Sequence, residues 1–311
     1  MKILIMGTGA IGGCYGGLLA RSGEDVVFAA RGDNLRAISD VGLRVDSATF
    51  GDVLVHPKAV DRLDGSWTAD LILFCVKGYH NEQAMSDMSP AVGDGTTILT
   101  LQNGIGSGEQ LSQCFGADQV LLGAAYIDAE RTAPGVFAQS GSPPRIVLGE
   151  ESGELTDRAK AIADVLRNAA IETELSSNVL TALWSKLVYI CALSGMSCIT
   201  RSSFSEVLET PETYAMTMQV MTEALKVGQA SGVALDDELP DAVMAGFLEE
   251  KDGFISSMYI DLVAGNPLEV SLINGAVSRI GREIGVDTPS NSFIAACLTI
   301  ADRRARSKAS N

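Results

Sequence analysis

The glycine-rich segment GTGAIG, at residues 7–12, constrains the fold of this chain more than any other feature of its sequence. A nearly continuous apolar run at residues 2–6 precedes the segment, and a small-residue run with helical character follows it as far as Arg21. A second apolar run spans residues 25–30. Short apolar runs of this kind are typical of parallel strands covered on both faces. A GxGxxG motif between such a strand and a helix predicts a β-α-β unit that binds a dinucleotide.

Each glycine of the motif has its own physical role in such a turn. Gly7 permits the tight turn, Gly9 lets the backbone approach a pyrophosphate, and Gly12 lets the helix pack closely on the strand. The phosphates would meet the free N–H groups and the positive dipole end of the helix. We therefore expect the cofactor to contact the whole turn, which consists of Gly7, Thr8, Gly9, Ala10, Ile11 and Gly12.

The residue at the end of the second strand indicates which dinucleotide is bound. Enzymes that use NAD usually carry Asp or Glu there, because a carboxylate holds the ribose 2′-hydroxyl. Here the chain reads FAARGDN, with Arg31 at that point. A guanidinium suits the additional 2′-phosphate of NADP. The sequence therefore predicts NADP as the cofactor.

The pattern of elements changes after the first half of the chain. Strand and helix signals alternate to about residue 150, with strands at 69–76, 96–101, 120–126 and 145–149 and turns at Pro143 and Pro144. This alternation is typical of a doubly wound sheet. Only helical periodicity follows, at residues 178–200, 211–232, 238–252, 253–265, 269–285 and 289–306. We predict an α/β chain with a Rossmann-type domain over residues 1–176 and an all-α domain over residues 177–311.

Composition excludes some classes of function. The chain has 23 Lys and Arg against 39 Asp and Glu, a net charge of −16, which argues against sequence-independent nucleic-acid binding. It lacks the ~18 consecutive apolar residues of a membrane span. With only His56 and His80 available, we predict no metal site. The six cysteines form no CxxC pair and predict reduced thiols in a cytoplasmic protein. The late helices are apolar enough for a homodimer, although core packing explains them equally well.

Five segments together resemble the ketopantoate reductase family, the 2-dehydropantoate 2-reductases, over essentially the whole chain. They are MKILIMGTGAIGG at the start, CVKGYH and LQNGIG at two strand ends, LWSKL in the first helix of the second domain, and LEVSLINGAVSRIGREIGVDTP near the end. The resemblance implies that the protein reduces a 2-oxo acid to a 2-hydroxy acid with NADPH. The nominal reaction is 2-dehydropantoate to pantoate.

The resemblance also assigns roles to individual residues. Lys186 in LWSKL would be the general acid that protonates the ketone oxygen, and Glu269 would bond the product hydroxyl. Chemistry supports the first role, because a lysine buried beside an apolar helix face can have a lowered pKa and act near neutrality. The resemblance implies further contacts with cofactor or substrate: Asn103 with both, Lys77 and Ala129 with the cofactor, and Ser257 with the substrate carboxylate.

The chain departs from the family in its substrate pocket. The family has asparagines four and eight residues after the catalytic lysine, on one helical face, where this chain has Ile190 and Ser194. Two further asparagines align with Phe204 and Phe254. An apolar site separates substrates less sharply than one built to bond a hydroxyl. We therefore keep the hypothesis of a paralogue that reduces a different, more apolar 2-oxo acid.

The sequence is also compatible with two functions outside this family. The β-hydroxyacid dehydrogenases likewise join a Rossmann domain to a helical domain with a catalytic lysine, but the motif around Glu269 and the QNG strand end fit ketopantoate reductases better. A protein of another class would be an NADP-binding sensor without turnover. Such a sensor would tolerate the loss of Lys186, whereas a reductase would not.

Overall fold

The computed structural model describes residues 1–250 and 254–309 and divides the chain into two compact units. The first unit comprises residues 1–102 and 107–179, and the second comprises Asn103–Gly106 and the chain from Leu180 onward. The boundary expected after residue 176 lies slightly before this division. The assignment of Asn103–Gly106 to the second unit has a local cause, since the backbone N–H of Ile105 donates to the carbonyl oxygen of Leu272 at 2.9 Å.

Within the described residues, ten strands of the first unit form one mixed sheet. The strands are β1 (Lys2–Met6), β2 (Asp25–Ala29), β3 (Leu43–Ser47), β4 (Val53–Val55), β5 (Lys58–Val60), β6 (Leu71–Phe74), β7 (Thr97–Thr100), β8 (Val120–Ala133), β9 (Val136–Gly149) and β10 (Glu172–Leu175). Their order is β4-β3-β9-β8-β7-β6-β1-β2-β5, and β10 pairs with β9. The neighbours β7, β6, β1 and β2 are parallel, so their carboxyl ends meet at one edge, where ligands of such sheets bind.

Helices of the first unit connect these strands. They are α1 (Ala10–Arg21), α2 (Gly32–Asp40), α3 (Asn81–Met88), α4 (Ser107–Phe115) and α5 (Asp157–Asn168). Strand side chains such as Ile3, Ile5 and Phe28 are fully buried in one core with Leu18 of α1 and Phe137 of β9. The predicted Rossmann-type architecture of the N-terminal half is confirmed.

The hairpin of β8 and β9 is much longer than the sequence predicts. The sequence pattern places strands only over residues 120–126 and 145–149, because Pro143 and Pro144 cannot donate to a strand ladder. The structure accommodates both prolines at a shift in register, where Tyr126 pairs with Arg145 but Asp128 pairs with Ser140. Between these two pairs β9 has four residues, 141–144, where β8 has only Ile127, and a bulge of this kind is where a sheet tolerates proline.

The described part of the second unit is helical, as predicted. Its helices are α6 (Val179–Thr200), α7 (Phe204–Glu209), α8 (Pro211–Ala230), α9 (Leu239–Glu249), α10 (Ser257–Ala264), α11 (Asn274–Ile284) and α12 (Pro289–Ala309). Helix α6 is central to the core, and its Leu187, Val188, Cys191 and Ala192 are fully buried. The predicted helices at 238–252 and 253–265 run into residues 251–253, which lie outside the described residues.

The segment that carries Glu269 corrects one expectation from the sequence. The periodicity predicts a helix over residues 269–285, but α11 begins only at Asn274. Gly265 ends α10 in the left-handed conformation and Pro267 follows, a combination that stops a helix. The backbone carbonyl oxygen of Glu269 then accepts a turn hydrogen bond from the N–H of Leu272 at 3.1 Å. Glu269 therefore lies in an irregular segment and not on a helix face.

Helix α6 is long and apolar enough to cross a membrane by length and composition, the one such helix among the described residues. In its most apolar window, 61% of the residues are buried inside the protein. A core helix of a soluble protein passes the same test. Within the second unit, the buried side chains of α6 belong to the apolar core.

Candidate active site

The glycine-rich turn is held in place at the end of β1 by residues from three other parts of the first unit. Gly7 has a positive φ of 104°, and a Cβ there would lie 2.6 Å from the backbone nitrogen of Val76 at the end of β6. The hydroxyl of Thr8 donates to the carbonyl oxygen of Ala29 at 2.8 Å. The side chain of Asn34 donates to the carbonyl oxygen of Thr8 at 2.9 Å. Asn34 is a positioning residue that the sequence pattern does not reveal.

The turn leaves room for a ligand at the start of α1. Gly9 is the N-cap residue of this helix and has no side chain to bond the first N–H groups. A Cβ at Gly9 would meet nothing within 4 Å among the described residues. The first N–H groups of a helix have no partner within the helix and favour an anion. This end of α1 therefore fits a dinucleotide pyrophosphate.

Arg31, at the end of β2, lies on a cavity of about 670 Å³. Its guanidinium forms an ion pair with Asp87 and its side chain remains 68% exposed. The cavity is lined by Arg31, Gly32, Leu35, Arg36, Asp61, Arg62, Gln83 and Asp87. Three guanidinium groups on one cavity fit a phosphate group. The two carboxylates partly offset that charge.

A buried amide network fixes the carboxyl ends of β6 and β7. The side chain of Gln102 donates to the carbonyl oxygen of Val76 and to the amide oxygen of Asn81, both at 2.7 Å. Asn81 in turn donates to the hydroxyl of Ser107 at 3.1 Å. Lys77, which directly follows Val76, is partly buried at this edge. Gln102 and Asn81 were not predicted, although a polar residue at the end of an apolar strand is a usable signal.

The loop that begins at Asn103 packs on the segment that begins at Glu269. Gly104 has a φ of 87°, and a Cβ there would overlap the carbonyl group of Leu272. The neighbouring Ile105 donates its N–H to that same carbonyl oxygen. The second unit thus brings together two stretches that are far apart in the sequence, one beginning at Asn103 and one carrying the buried Glu269.

Lys186 lies in the middle of α6 and is partly buried. Burial lowers the pKa of its ammonium group from the ordinary value to about 8, and the nearby Glu269 carboxylate acts in the opposite direction, raising it. Desolvation is the larger of the two effects. An amine with a pKa near 8 is protonated at neutrality and can still release its proton, which is what a general acid requires.

Three of the predicted substrate positions, Lys186, Ile190 and Ser194, share one face of α6. Ile190 and Ser194 follow Lys186 at intervals of four residues, and both are buried. The hydroxyl of Ser194 accepts a hydrogen bond from Ser256 at 3.0 Å. Ser257 is the exposed first residue of α10, whereas Ser256 is buried and caps that helix by accepting from the N–H of Tyr259. The family motif points to Ser257, and the sequence gives no signal that singles out Ser256.

A second polar network, also not predicted, joins α11 to the core of the second unit. The side chain of Asn274 donates to the carbonyl oxygen of Cys191 at 3.0 Å and to the amide oxygen of Asn291 at 2.9 Å. Asn291 donates to the carboxylate of Glu223 at 2.8 Å. These buried groups fix the start of α11 against α6, and with it the Glu269 segment.

Ala129, predicted to contact the cofactor, pairs with Gln139 in the hairpin of the first unit.

Comparisons with known proteins agree with this geometry. The family model described as "Ketopantoate reductase PanE/ApbA" matches residues 3–153, and the model of the C-terminal domain of the same family matches residues 178–301. The 2-dehydropantoate 2-reductase of Pyrococcus abyssi is 29% identical over 94% of this chain and 95% of its own. The crystal structure of 2-dehydropantoate 2-reductase from Geobacter metallireducens GS-15 is 32% identical, with a TM-score of 0.91 over 97% of this chain and 100% of that one. A structure of D-mandelate dehydrogenase with NADH is 25% identical, with a TM-score of 0.88 over 97% and 99%.

The fold and the site define an oxidoreductase that uses a nicotinamide cofactor. The chain belongs to the ketopantoate reductase family. It is therefore an enzyme of the 2-dehydropantoate 2-reductase type, which acts on a CH–OH group. The family resemblance predicted from the sequence is confirmed.

Proposed function

We propose that this protein reduces a 2-oxo acid to the 2-hydroxy acid with NADPH and that Lys186 is the general acid. The reference reaction is 2-dehydropantoate to pantoate, after the name of its relatives. The observation that carries the proposal is the lysine whose pKa is lowered to about 8 by burial and which interacts with the Glu269 carboxylate. Groups with a strongly shifted pKa concentrate at functional sites.

The reaction needs one hydride and one proton. When bound, the reduced nicotinamide supplies the hydride that the ketone carbon accepts. The ammonium group of Lys186 gives its proton to the ketone oxygen, so the C=O double bond becomes a C–O single bond with one new C–H and one new O–H bond. Before that transfer its positive charge favours the negative charge developing on the oxygen. Glu269 favours the protonated form of Lys186 and is proposed to bond the product hydroxyl.

The residues expected to hold the cofactor are each proposed for one part of it. The turn from Gly7 to Gly12 would bind the pyrophosphate, and Arg31 would bind the 2′-phosphate after exchanging its Asp87 partner for it. Such an exposed pair contributes little stability, so the exchange costs little. Lys77 and Ala129 are proposed to contact the rest of the cofactor, and Asn103 is proposed to contact both cofactor and substrate.

The direct test is an assay of NADPH oxidation with a panel of 2-oxo acids that includes 2-dehydropantoate and phenylglyoxylate. The second acid is included because a D-mandelate dehydrogenase shares the fold and a quarter of the sequence. A reductase should turn over at least one member of the panel. Tight NADPH binding without turnover of any 2-oxo acid would support an NADP-binding sensor, and oxidation of 3-hydroxy acids alone would support a β-hydroxyacid dehydrogenase.

Substitution of Arg31 tests the choice of cofactor. In Arg31→Asp the 2′-phosphate would meet a carboxylate in place of a guanidinium, so kcat/KM for NADPH should fall about 10- to 100-fold while that for NADH changes little. Arg167→Asp, at an exposed arginine on α5, is the matched control with the same change in charge. A preference of the unmutated enzyme for NADH would contradict the assignment of NADP.

A further inference from the structure

We infer that the preferred substrate is a 2-oxo acid whose side chain is apolar and branched or aromatic and carries no hydroxyl group, and that Ile190 and the Ser194–Ser256 pair determine this specificity. The inference rests on the proposed function, since it concerns the substrate of that same site. It follows from what α6 and α10 present beside Lys186.

The first observation is the position of Ile190. It lies one helical turn beyond Lys186 on the same side of α6, a rise of roughly 6 Å. A ketone bonded to the Lys186 ammonium therefore has its side chain within reach of Ile190. The isoleucine offers only methyl and methylene groups there, and it is itself part of the apolar core of the second unit. A substrate hydroxyl at this level would lose its water and gain no partner from this residue.

The second observation is that the next hydroxyl groups along the helix bond to each other. Ser256 donates to Ser194 at 3.0 Å, and both side chains are buried. The oxygen of Ser256 also accepts the backbone N–H of Tyr259 at 3.2 Å and so caps α10. Because Ser256 uses its single O–H on Ser194 and accepts the N–H of Tyr259 at the helix cap, it has no proton left to donate to a substrate hydroxyl.

The third observation is the aromatic cluster formed by Tyr189, Phe204, Phe247 and Phe254. The ring of Phe254 lies 5.2 Å from that of Phe247 and 6.0 Å from that of Tyr189. Phe204 meets Phe247 edge-on at 4.6 Å. Tyr189 is three residues beyond Lys186 on α6, and Phe254 precedes the Ser256 cap by two residues. The polypeptide around the serine pair is therefore supported by rings, which favour apolar contacts.

The test uses two substrates that differ by one hydroxyl group. They are 2-dehydropantoate and its analogue 3,3-dimethyl-2-oxobutanoate, which has the same carbon skeleton without the terminal hydroxyl. We expect kcat/KM of the unmutated enzyme to be at least about tenfold higher for the analogue, because an apolar site gives the hydroxyl no partner. A ratio below tenfold, or a preference for 2-dehydropantoate, would overturn the inference while leaving the proposed function intact.

A pair of variants assigns the effect to Ile190. Ile190→Asn should shift the ratio of the two kcat/KM values toward 2-dehydropantoate by about tenfold or more, because an amide can bond the hydroxyl. Ile190→Leu, which has the same volume and no polar group, should keep the ratio of the unmutated enzyme. An equal ratio in both variants would remove Ile190 from the specificity site.

Binding measurements separate this inference from the proposed function. If no 2-oxo acid of the panel is reduced with NADPH or NADH, the proposed function fails on that result. The dissociation constants of the same two acids for the NADP-loaded protein, measured by calorimetry, still decide the inference. Tighter binding of the hydroxyl-free acid by about tenfold supports it, and equal or weaker binding overturns it.

Discussion

Replacing Lys186 with alanine is expected to lower kcat for 2-oxo acid reduction by about 100- to 10,000-fold, the usual contribution of a positioned general acid. Binding of NADPH should change little, since the cofactor-binding turn lies in the first unit and Lys186 in the second. A single-turnover experiment, in which the NADPH-loaded variant is mixed with substrate and followed by absorbance, measures the chemical step directly. Lys226→Ala, at an exposed lysine on α8 of the same unit, is the control and should retain full activity.

The lowered pKa of Lys186 leads us to expect a pH dependence of the rate of the unmutated enzyme. Reduction requires the protonated amine, whose pKa is lowered to about 8. The rate should therefore be constant at neutral pH and fall roughly tenfold per pH unit above that value. In the oxidation direction the neutral amine is required, so the rate should rise over the same range. A reduction rate that does not change between pH 7 and 10, or full activity in Lys186→Ala, would rule out Lys186 as the proton donor.

Replacement by alanine should weaken cofactor binding at Gly9 and lower the stability of the fold at Gly12. In Gly9→Ala the new Cβ would meet nothing within 4 Å among the described residues, and the backbone at φ −88° suits alanine. The fold should persist, with a loss of at most about 0.5 kcal/mol from the weaker N-cap. The dissociation constant for NADPH should nevertheless rise at least about tenfold, because the methyl group occupies the approach of the pyrophosphate.

In Gly12→Ala the new Cβ would overlap the carbonyl oxygen of Gly7, inside a closely packed turn. Strain of this kind should lower the free energy of unfolding by about 1–3 kcal/mol. Thermal unfolding of the free proteins and titration with NADPH separate the two effects. Loss of stability in Gly9→Ala without loss of affinity would show that the open space at Gly9 is not the cofactor site.

Local sequence pattern was sufficient for the elements that determine the fold class. The turn from Gly7 to Gly12 is recognisable because its glycine spacing falls between a buried strand and a helix, and the helical second half follows from its periodicity. The sequence pattern predicts too short a hairpin for β8 and β9, because proline is normally a strand breaker. Its place at a register shift depends on the partner strand, which local pattern does not reveal.

The contacts that assemble the candidate site are mostly non-local, and the sequence alone could not predict them. Gly104 must be glycine because a Cβ there would overlap the carbonyl group of Leu272, which is distant in the chain. The side chain of Asn274 donates hydrogen bonds to Cys191 and Asn291, which are also distant from it in the chain. Ser256 and Ser257 are adjacent and chemically identical. Only the course of the backbone decides which of the two is buried against α6.

The passage of Asn103–Gly106 into the second unit bears on how such enzymes can be divided or recombined. The chain crosses between the units at residues 102–103, 106–107 and 179–180, so no single cut yields two complete halves. A fragment that ends at residue 179 would keep the loop but lose the Leu272 carbonyl that anchors it. A chimaera that joins the first half of one relative to the second half of another should therefore succeed only when this loop and its anchor are inherited as a matched pair.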